Sequence, residues 1–411
     1  MNICRFFLLI FALFIHFLMF GQSSTLYQKI PFNNAVFSTN QDSVFFSWND
    51  IGAANYDLVL SQDISFSNPT IFSTSSSSKW VQQNQLFNNT YWKVEANSGE
   101  ISSTQLLSIV DLSNLGSLVY RVDGETGITE TNNKVSNWDN DAGASYNSSQ
   151  PVNGVRPDLA VDEINGSDVV RFGGEIGAST QHLELPAEFI IPDTNFTVFT
   201  SYQQKSNNSV LPYLLGSSAS NLGGLHVSGT FGNYNNIGLF FTPNSEMRVA
   251  GTGAFNWGVH SLKHNKIYSN SNEVSNYITG APIDFFKFNS IGTRMDVPTL
   301  NFHGDLAEVI IYNTSLPDAE RDTVENYLMT KYSAYPDLGK DIDTCTAEVS
   351  LSFKNDPGFS SIQWSNGSTN TDSISVQADG WYWVEVVAFD RTIRDSIHVS
   401  GLVPQTELSH L

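Results

Sequence analysis

The chain has 411 residues, 40% hydrophobic and 12% aromatic, which supplies two or three packed cores and excludes a disordered chain. Only 15% are charged, against roughly 25% in an average soluble domain, which argues against a long helical or coiled-coil protein. The net charge of −21, from 20 basic and 41 acidic residues, argues against nucleic acid as a partner.

At the amino terminus Arg5 precedes an apolar run over 6–20, broken only by His16. The run falls short of the roughly 20 residues that span a bilayer. It ends at Gly21-Gln22-Ser23-Ser24, small residues that suit cleavage, so 1–22 reads as a signal peptide; an uncleaved anchor is the alternative. Cys4 lies ahead of the run, where a lipid-anchoring cysteine would follow it. Cleavage removes Arg5 and Cys4 and leaves one thiol, Cys345, with no further membrane-length apolar run. The expected location is secreted, extracellular or cell-surface.

After the signal, β-branched and aromatic runs at 44–48, 56–60 and 90–96 alternate inward apolar with outward polar residues. They fall within 27–110, the length of one small sandwich. A larger block covers 115–335. Its strands are predicted at 117–122, 168–172, 182–185, 196–203, 224–230, 237–242, 257–268, 274–278, 288–292 and 302–312, which suits a two-sheet jelly roll. One helix follows: Ser315 is placed to cap it, Pro317 suits its first turn, and Asp318 and Glu320 lie near its positive end. Val324, Tyr327, Leu328 and Lys331/Tyr332 share one side, so the helix is expected to pack across the sandwich. A last β segment covers 337–402. The expected fold is all-β and multi-domain, with β-sandwich modules flanking a central jelly roll that ends in one helix.

Three resemblances accompany this reading. Trp48 on the second strand, and Leu86-Phe-Asn-Asn-Thr-Tyr-Trp92 with Tyr91 as a candidate tyrosine corner, resemble a fibronectin type III domain, implying a spacer or a module with ligand-binding loops. Gly304-Asp-Leu-Ala-Glu-Val-Ile-Ile-Tyr-Asn313, the following Ser-Leu-Pro-Asp-Ala-Glu-Arg321, and Tyr327-Leu-x-x-Lys-Tyr332 resemble the final strand and helix of laminin-G-like, concanavalin A-like domains of secreted bacterial surface proteins. Val135-Ser-Asn-Trp138-Asp-Asn-Asp-Ala-Gly143 is similar to that family's Trp-x-Asp-x-Ser-Gly stretch, with Ala142 in place of serine. Ile362-Gln-Trp-Ser-Asn-Gly367 and Gly380-Trp-Tyr-Trp-Val-Glu-Val386 are similar to immunoglobulin-like or PKD-like modules. Members of that group often carry a second cysteine after the latter strand; 388–392 has none, so Cys345 is expected to be a buried or weakly reactive thiol.

Jelly rolls of this class imply a lectin, an adhesion module or a glycoside hydrolase. Hydrolysis requires two carboxylates opposed across the glycosidic bond. The acidic candidates are Asp158, Asp162, Glu163, Glu184, Glu188, Asp305 and Glu308. Asp305 and Glu308, an odd number apart on a strand, are expected on opposite faces. Asp139-Asn-Asp141-Ala-Gly143 offers oxygen ligands for calcium, or equally a turn capped by its own side chains. His182, His226, His260, His264 and His303 show no zinc spacing. Tyr234, Asn236, Phe255 and Trp257 combine rings and amides as sugar surfaces do, and as ordinary Asn-rich loops also do. The expected function is non-catalytic binding or adhesion, with the jelly roll holding a glycan or an extracellular protein. Calcium is the one cofactor the residues admit. The alternatives are a glycoside hydrolase or its carbohydrate-binding accessory, and a purely structural adhesin segment.

Overall fold

Period-two alternation builds the first sheets. In the strand Ser43–Trp48, Val44, Phe46 and Trp48 turn inward while Ser43, Phe45 and Ser47 turn out. It is the centre of a three-stranded sheet with Gln28–Ile30 and Ser78–Gln82. A five-stranded sheet faces it, ordered Ala35–Ser38, Gln105–Val110, Asn89–Ala96, Tyr56–Ser61, Thr70–Thr74, with Ala35–Ser38 parallel to its neighbour. Between them Trp48 meets Tyr56 edge-on at 5.7 Å and Phe46 meets Trp92 at 5.0 Å. Each such ring, fully buried, contributes about 2–3 kcal/mol of hydrophobic stabilisation. Tyr91, expected as a corner, lies between inward Thr90 and Trp92 and points away from the core. Tyr56 ties the chain instead: its hydroxyl donates to Asp50 at 2.7 Å and accepts from the Ile51 N–H at 2.9 Å.

The computed structural model describes residues 26–403 except 144, 174–180, 193–194, 206–211, 218–223, 228–235, 243–244, 251–255, 264–265, 275, 280–284 and 298–299; for 236–242, 245–250 and 276–279 it describes the backbone alone. The expected signal peptide lies outside the described residues. None of the described helices is long and apolar enough to cross a membrane.

Among the described residues, eighteen hydrogen-bonded strands form the central two-layered sandwich, so the all-β expectation holds. One layer sets Gly304–Tyr312 between Leu118–Asp123 and Thr197–Gln204, the latter also pairing with Gly258–Lys263. The other layer runs from Leu183–Ile191 through Phe286–Ile291, Tyr213–Gly216 and Gly224–Val227. The single strand expected at 257–268 is a hairpin, Gly258–Lys263 with Lys266–Ser269.

All nine residues of Gly304–Tyr312 are buried because both of its faces are covered. Its register shifts: Tyr202 lies opposite Leu306 and Ser201 opposite Glu308, making Ala307 the extra residue of a β-bulge. Leu306, Val309 and Ile311 therefore enter the inner core, while Ala307, Ile310 and Tyr312 face outward under the helix.

The helix spans Asp318–Tyr332 and lies on that outer face against Phe199, Val259 and Ile310. Val324, Tyr327, Leu328 and Tyr332 are buried as expected. Its start differs from expectation: Pro317 occupies the cap position, and Ser315 does not cap. The Ser315 N–H is bound by Asn195 at 2.8 Å and the Leu316 N–H by Thr197 at 2.9 Å, which fixes this stretch as loop. The reverse side of the helix is covered too. Thr330 Oγ1 accepts from the Val36 N–H at 3.2 Å, and Asn326 accepts from Arg391 at 2.5 Å.

The last unit pairs a four-stranded sheet (Ile342–Asp343, Arg391–Ser400, Gly380–Ala388, Phe359–Trp364) with the ribbon Val349–Ser352 and Ser373–Val376. Its core of Trp364, Val384 and Val386 joins the apolar cluster around the helix, which also takes in Val36 and Leu112. Buried Asp395 binds across units: it accepts from Lys29 at 3.0 Å, Tyr27 at 3.0 Å and the Leu338 N–H at 2.8 Å. Cys345, expected to be buried or weakly reactive, is exposed.

Candidate functional site

In the three-stranded sheet Val44 and Val81 point inward, so Phe45 and its direct cross-strand partner Trp80 point outward. Their rings lie 4.9 Å apart at 42°. Trp80 is 61% exposed although it is among the residues with most to gain from burial. It overhangs a cleft of about 630 Å³ where the first unit meets the central sandwich. That size suits a small ligand.

The facing wall is the turn after Leu118–Asp123. Gly124 lets it press against Ser167–Phe172, since a Cβ there would lie 2.1 Å from the Asp168 carbonyl oxygen. Glu125 accepts from the Asp168 N–H at 2.8 Å, and Thr126 donates to Asp141 at 2.6 Å. Asn140 holds the adjoining turn from below: its side-chain oxygen accepts from the Arg121 and Ala142 N–H groups at 2.8 and 3.0 Å. Glu125, Thr126 and Asp141 are all exposed.

Behind the cleft lies a buried charge cluster. Glu308, with its side chain 0% exposed, accepts from Arg121 at 2.9 Å, Lys331 at 3.2 Å and Tyr332 at 3.0 Å. Arg121 also reaches Asp123 at 3.1 Å and the Tyr327 hydroxyl at 2.9 Å, and Lys331 reaches Asp123 at 2.5 Å. Burial alone would raise the Asp123 carboxyl; the Lys331 and Arg121 charges override it and hold it below its ordinary value. Burial likewise works against a charged Lys331, yet Glu308 and the surrounding tyrosines and Asp123 lift it well above its ordinary range.

A second cluster holds Asp305, which pairs with Arg171 at 2.7 Å and Lys205 at 2.5 Å; Glu163 shares both cations at 2.6 and 3.0 Å. The bulge at Ala307 puts Asp305 and Glu308 on the same outer face, against the period-two expectation. Neither is a free acid: each is fully buried and held by two cations. Glu188 accepts from Ser217 at 2.7 Å and pairs with Lys287 at 3.3 Å, and Glu184 pairs with His182 at 3.1 Å.

The other candidates are scattered. Asp139 accepts from Asn137 at 2.8 Å, whereas Asp141 turns to Thr126 and lines the cleft. Gly127, at φ +66°, packs against Asp139 with only 3.0 Å to spare for a Cβ, which fixes that turn. Among the described residues no group of three His, Cys, Asp or Glu is placed to hold a metal. Trp257 is 3% exposed and packs with Phe199 and Val259 under the helix, so it presents no ring face to solvent. Tyr234 and Phe255 lie outside the described residues, and Asn236 opens the strand Asn236–Thr242, whose backbone alone is described. Sequence reasoning missed Trp80. The available signal was its phase: Val81 sets the inward side of Ser-Lys-Trp-Val-Gln, which leaves Trp80 outside.

No family model matches the chain. No curated protein matches it either. Among solved structures it is similar to a botulinum neurotoxin serotype D/C binding domain, with TM-score 0.38 and 12% identity over 69% of this chain and 74% of the other. It is similar to the binding domain of Paraclostridial Mosquitocidal Protein 1 with TM-score 0.37 and 13% identity, over 68% and 65%. The Ruminococcus gnavus IT-sialidase CBM40 shows TM-score 0.25 and 15% identity, over 33% and 83%. Likenesses this weak leave function to be argued from the site itself.

Proposed function

We propose that the chain is secreted or displayed at a cell surface and binds glycan or protein ligands without transforming them, with the cleft beside Trp80 as its binding site. One observation carries the reading: a solvent-facing tryptophan, braced from behind by Phe45, looks across a 630 Å³ cleft at a polar wall. The placement of the carboxylates supports a non-catalytic role, because hydrolysis needs an acid and a base opposed across an open groove. Asp305 and Glu308 are sealed and neutralised, and the exposed Glu125 and Asp141 share one wall of the cleft, joined through Thr126. The setting we propose is a fibronectin type III-like unit over 27–110, a laminin-G-like jelly roll over 115–335 and an immunoglobulin- or PKD-like unit over 337–402, exported by the signal at 1–22. Calcium forms no part of the proposal, since Asp139 and Asp141 bond to different neighbours. The test is a screen of the signal-cleaved chain against glycan and extracellular-protein arrays, each in calcium and in chelator. Binding that survives chelator and falls in Trp80→Ala is expected; no binding to any probe refutes the reading.

A further inference from the structure

We infer that the cleft selects a neutral oligosaccharide, built of hexose or N-acetylhexosamine units, over a carboxylated or sulfated one; this rests on the binding reading above. The charges left available in the cleft decide the selectivity. Among the described residues lining the cleft, the two cations are Arg121 and Lys331, and both are already engaged. Arg121 gives Nε to Glu308 and Nη2 to Asp123 and Tyr327, and Lys331 is shared between Asp123 and Glu308. An acidic sugar would have to break those buried pairs to obtain a counter-charge, and breaking one partner from such a pair is strongly unfavourable.

At the mouth stand Glu125 and Asp141, both exposed and both carboxylates. They would repel an anionic substituent and accept hydrogen bonds from sugar hydroxyls. The remaining polar lining supplies neutral donors and acceptors: the amides of Asn40, Gln41 and Asn165 and the hydroxyl of Thr126. Trp80 completes the set with one open ring face, which suits the apolar face of a pyranose. The same two carboxylates would attract a cationic ligand, so a basic peptide is the competitor the test must include; Phe45, tilted 42° to Trp80, forms with it no cage around a charge. Because Trp80 belongs to the first unit and Glu125 and Asp141 to the central sandwich, both units must stay docked for the site to exist.

The test uses the full signal-cleaved chain on an array holding neutral, sialylated, uronate-containing and sulfated glycans together with lysine-rich peptides, followed by titration of the strongest binder. A neutral glycan is expected to bind. Trp80→Ala should weaken it about tenfold or more and Trp80→Phe about threefold or less, as stacking on a ring requires. Thr126→Arg, which fills the cleft from the opposite wall, should abolish it; its melting temperature and that of Trp80→Ala serve as folding controls. Trp80-dependent binding of acidic glycans alone overturns the selectivity and leaves the binding reading standing. Capture of the basic peptides instead overturns the glycan, and neutral binding indifferent to both substitutions overturns the cleft. Failure of every probe removes the binding reading itself.

Discussion

Glu308→Gln is the sharpest test of what holds the central sandwich together. The substitution keeps the volume of the side chain and removes its charge, where the carboxylate accepts from Arg121, Lys331 and Tyr332 at 2.9, 3.2 and 3.0 Å with no solvent access. Arg121 and Lys331 then share one anion, Asp123, and the new amide turns an N–H toward donors. Breaking a buried ion pair from one side costs about 3–5 kcal/mol. For a sandwich of this size each kcal/mol moves the melting temperature by about 2–4 °C, so a fall of about 6–20 °C is expected. Scanning calorimetry of the full chain reads it, with Lys266→Gln as the control. Lys266 pairs with Glu273 at 2.8 Å, but both side chains are about half exposed, and its loss should move the midpoint by about 4 °C at most. Asp123 adds a pH signature. Its carboxyl is held below its ordinary value, so its contribution is complete above the unfolded value and is lost as pH falls through the lower folded one. Equal melting temperatures for the two variants would refute the reasoning, because they would mean that water already reaches Glu308.

Three further outcomes are expected. Burial pushes the His260 imidazole down to about 3, so unfolded chain takes up a proton below about 6.5 that folded chain refuses. Stability is therefore lost as pH falls through that window, and His260→Leu should flatten the urea midpoint against pH between 6.5 and 4; an unchanged slope sinks the assignment. Lys29→Met leaves buried Asp395 and its neighbour Asp337 without their shared cation and should speed limited proteolysis at 334–341 several-fold. Lys340→Ala, which breaks a pair whose lysine is 72% exposed, should not; equal rates for the two variants would refute the clamp. Cys345 should react fully with a maleimide in native buffer, and labelling only after denaturation would contradict its exposure.

Much of the fold could be read from side-chain period. Ser43–Trp48 alternates without a break, and the apolar stripe of the helix announces the face it buries. Three features escaped for identifiable physical reasons. The bulge at Ala307 leaves no mark in Asp-Leu-Ala-Glu, because a small apolar residue fits either side, so the phase of Asp305 against Glu308 came out inverted. The arginines that bind those carboxylates, Arg121 and Arg171, sit on strands more than a hundred residues away, which made structural acids look like free ones. Loop chemistry at the helix start was decided by Asn195 and Thr197, again from a distant strand. The hairpin Ile128–Thr131 with Lys134–Trp138 was missed because its first strand is mostly exposed; Asn132 and Asn133, both at positive φ, were the legible sign of its turn. For the site, Asp141 was visible as an acidic turn residue, whereas Trp80 needed the register that pairs it with Phe45.

The clamp formed by Tyr27 and Lys29 on Asp395 joins residues more than 360 positions apart. It therefore also sets how the molecule would bear mechanical load. Tension applied between the two ends of the described chain meets this hydrogen-bonded ion pair before it reaches the strands around the cleft. Pulled from those two ends, the chain would have to break this contact for the segment carrying Tyr27 and Lys29 to part from the strand carrying Asp395.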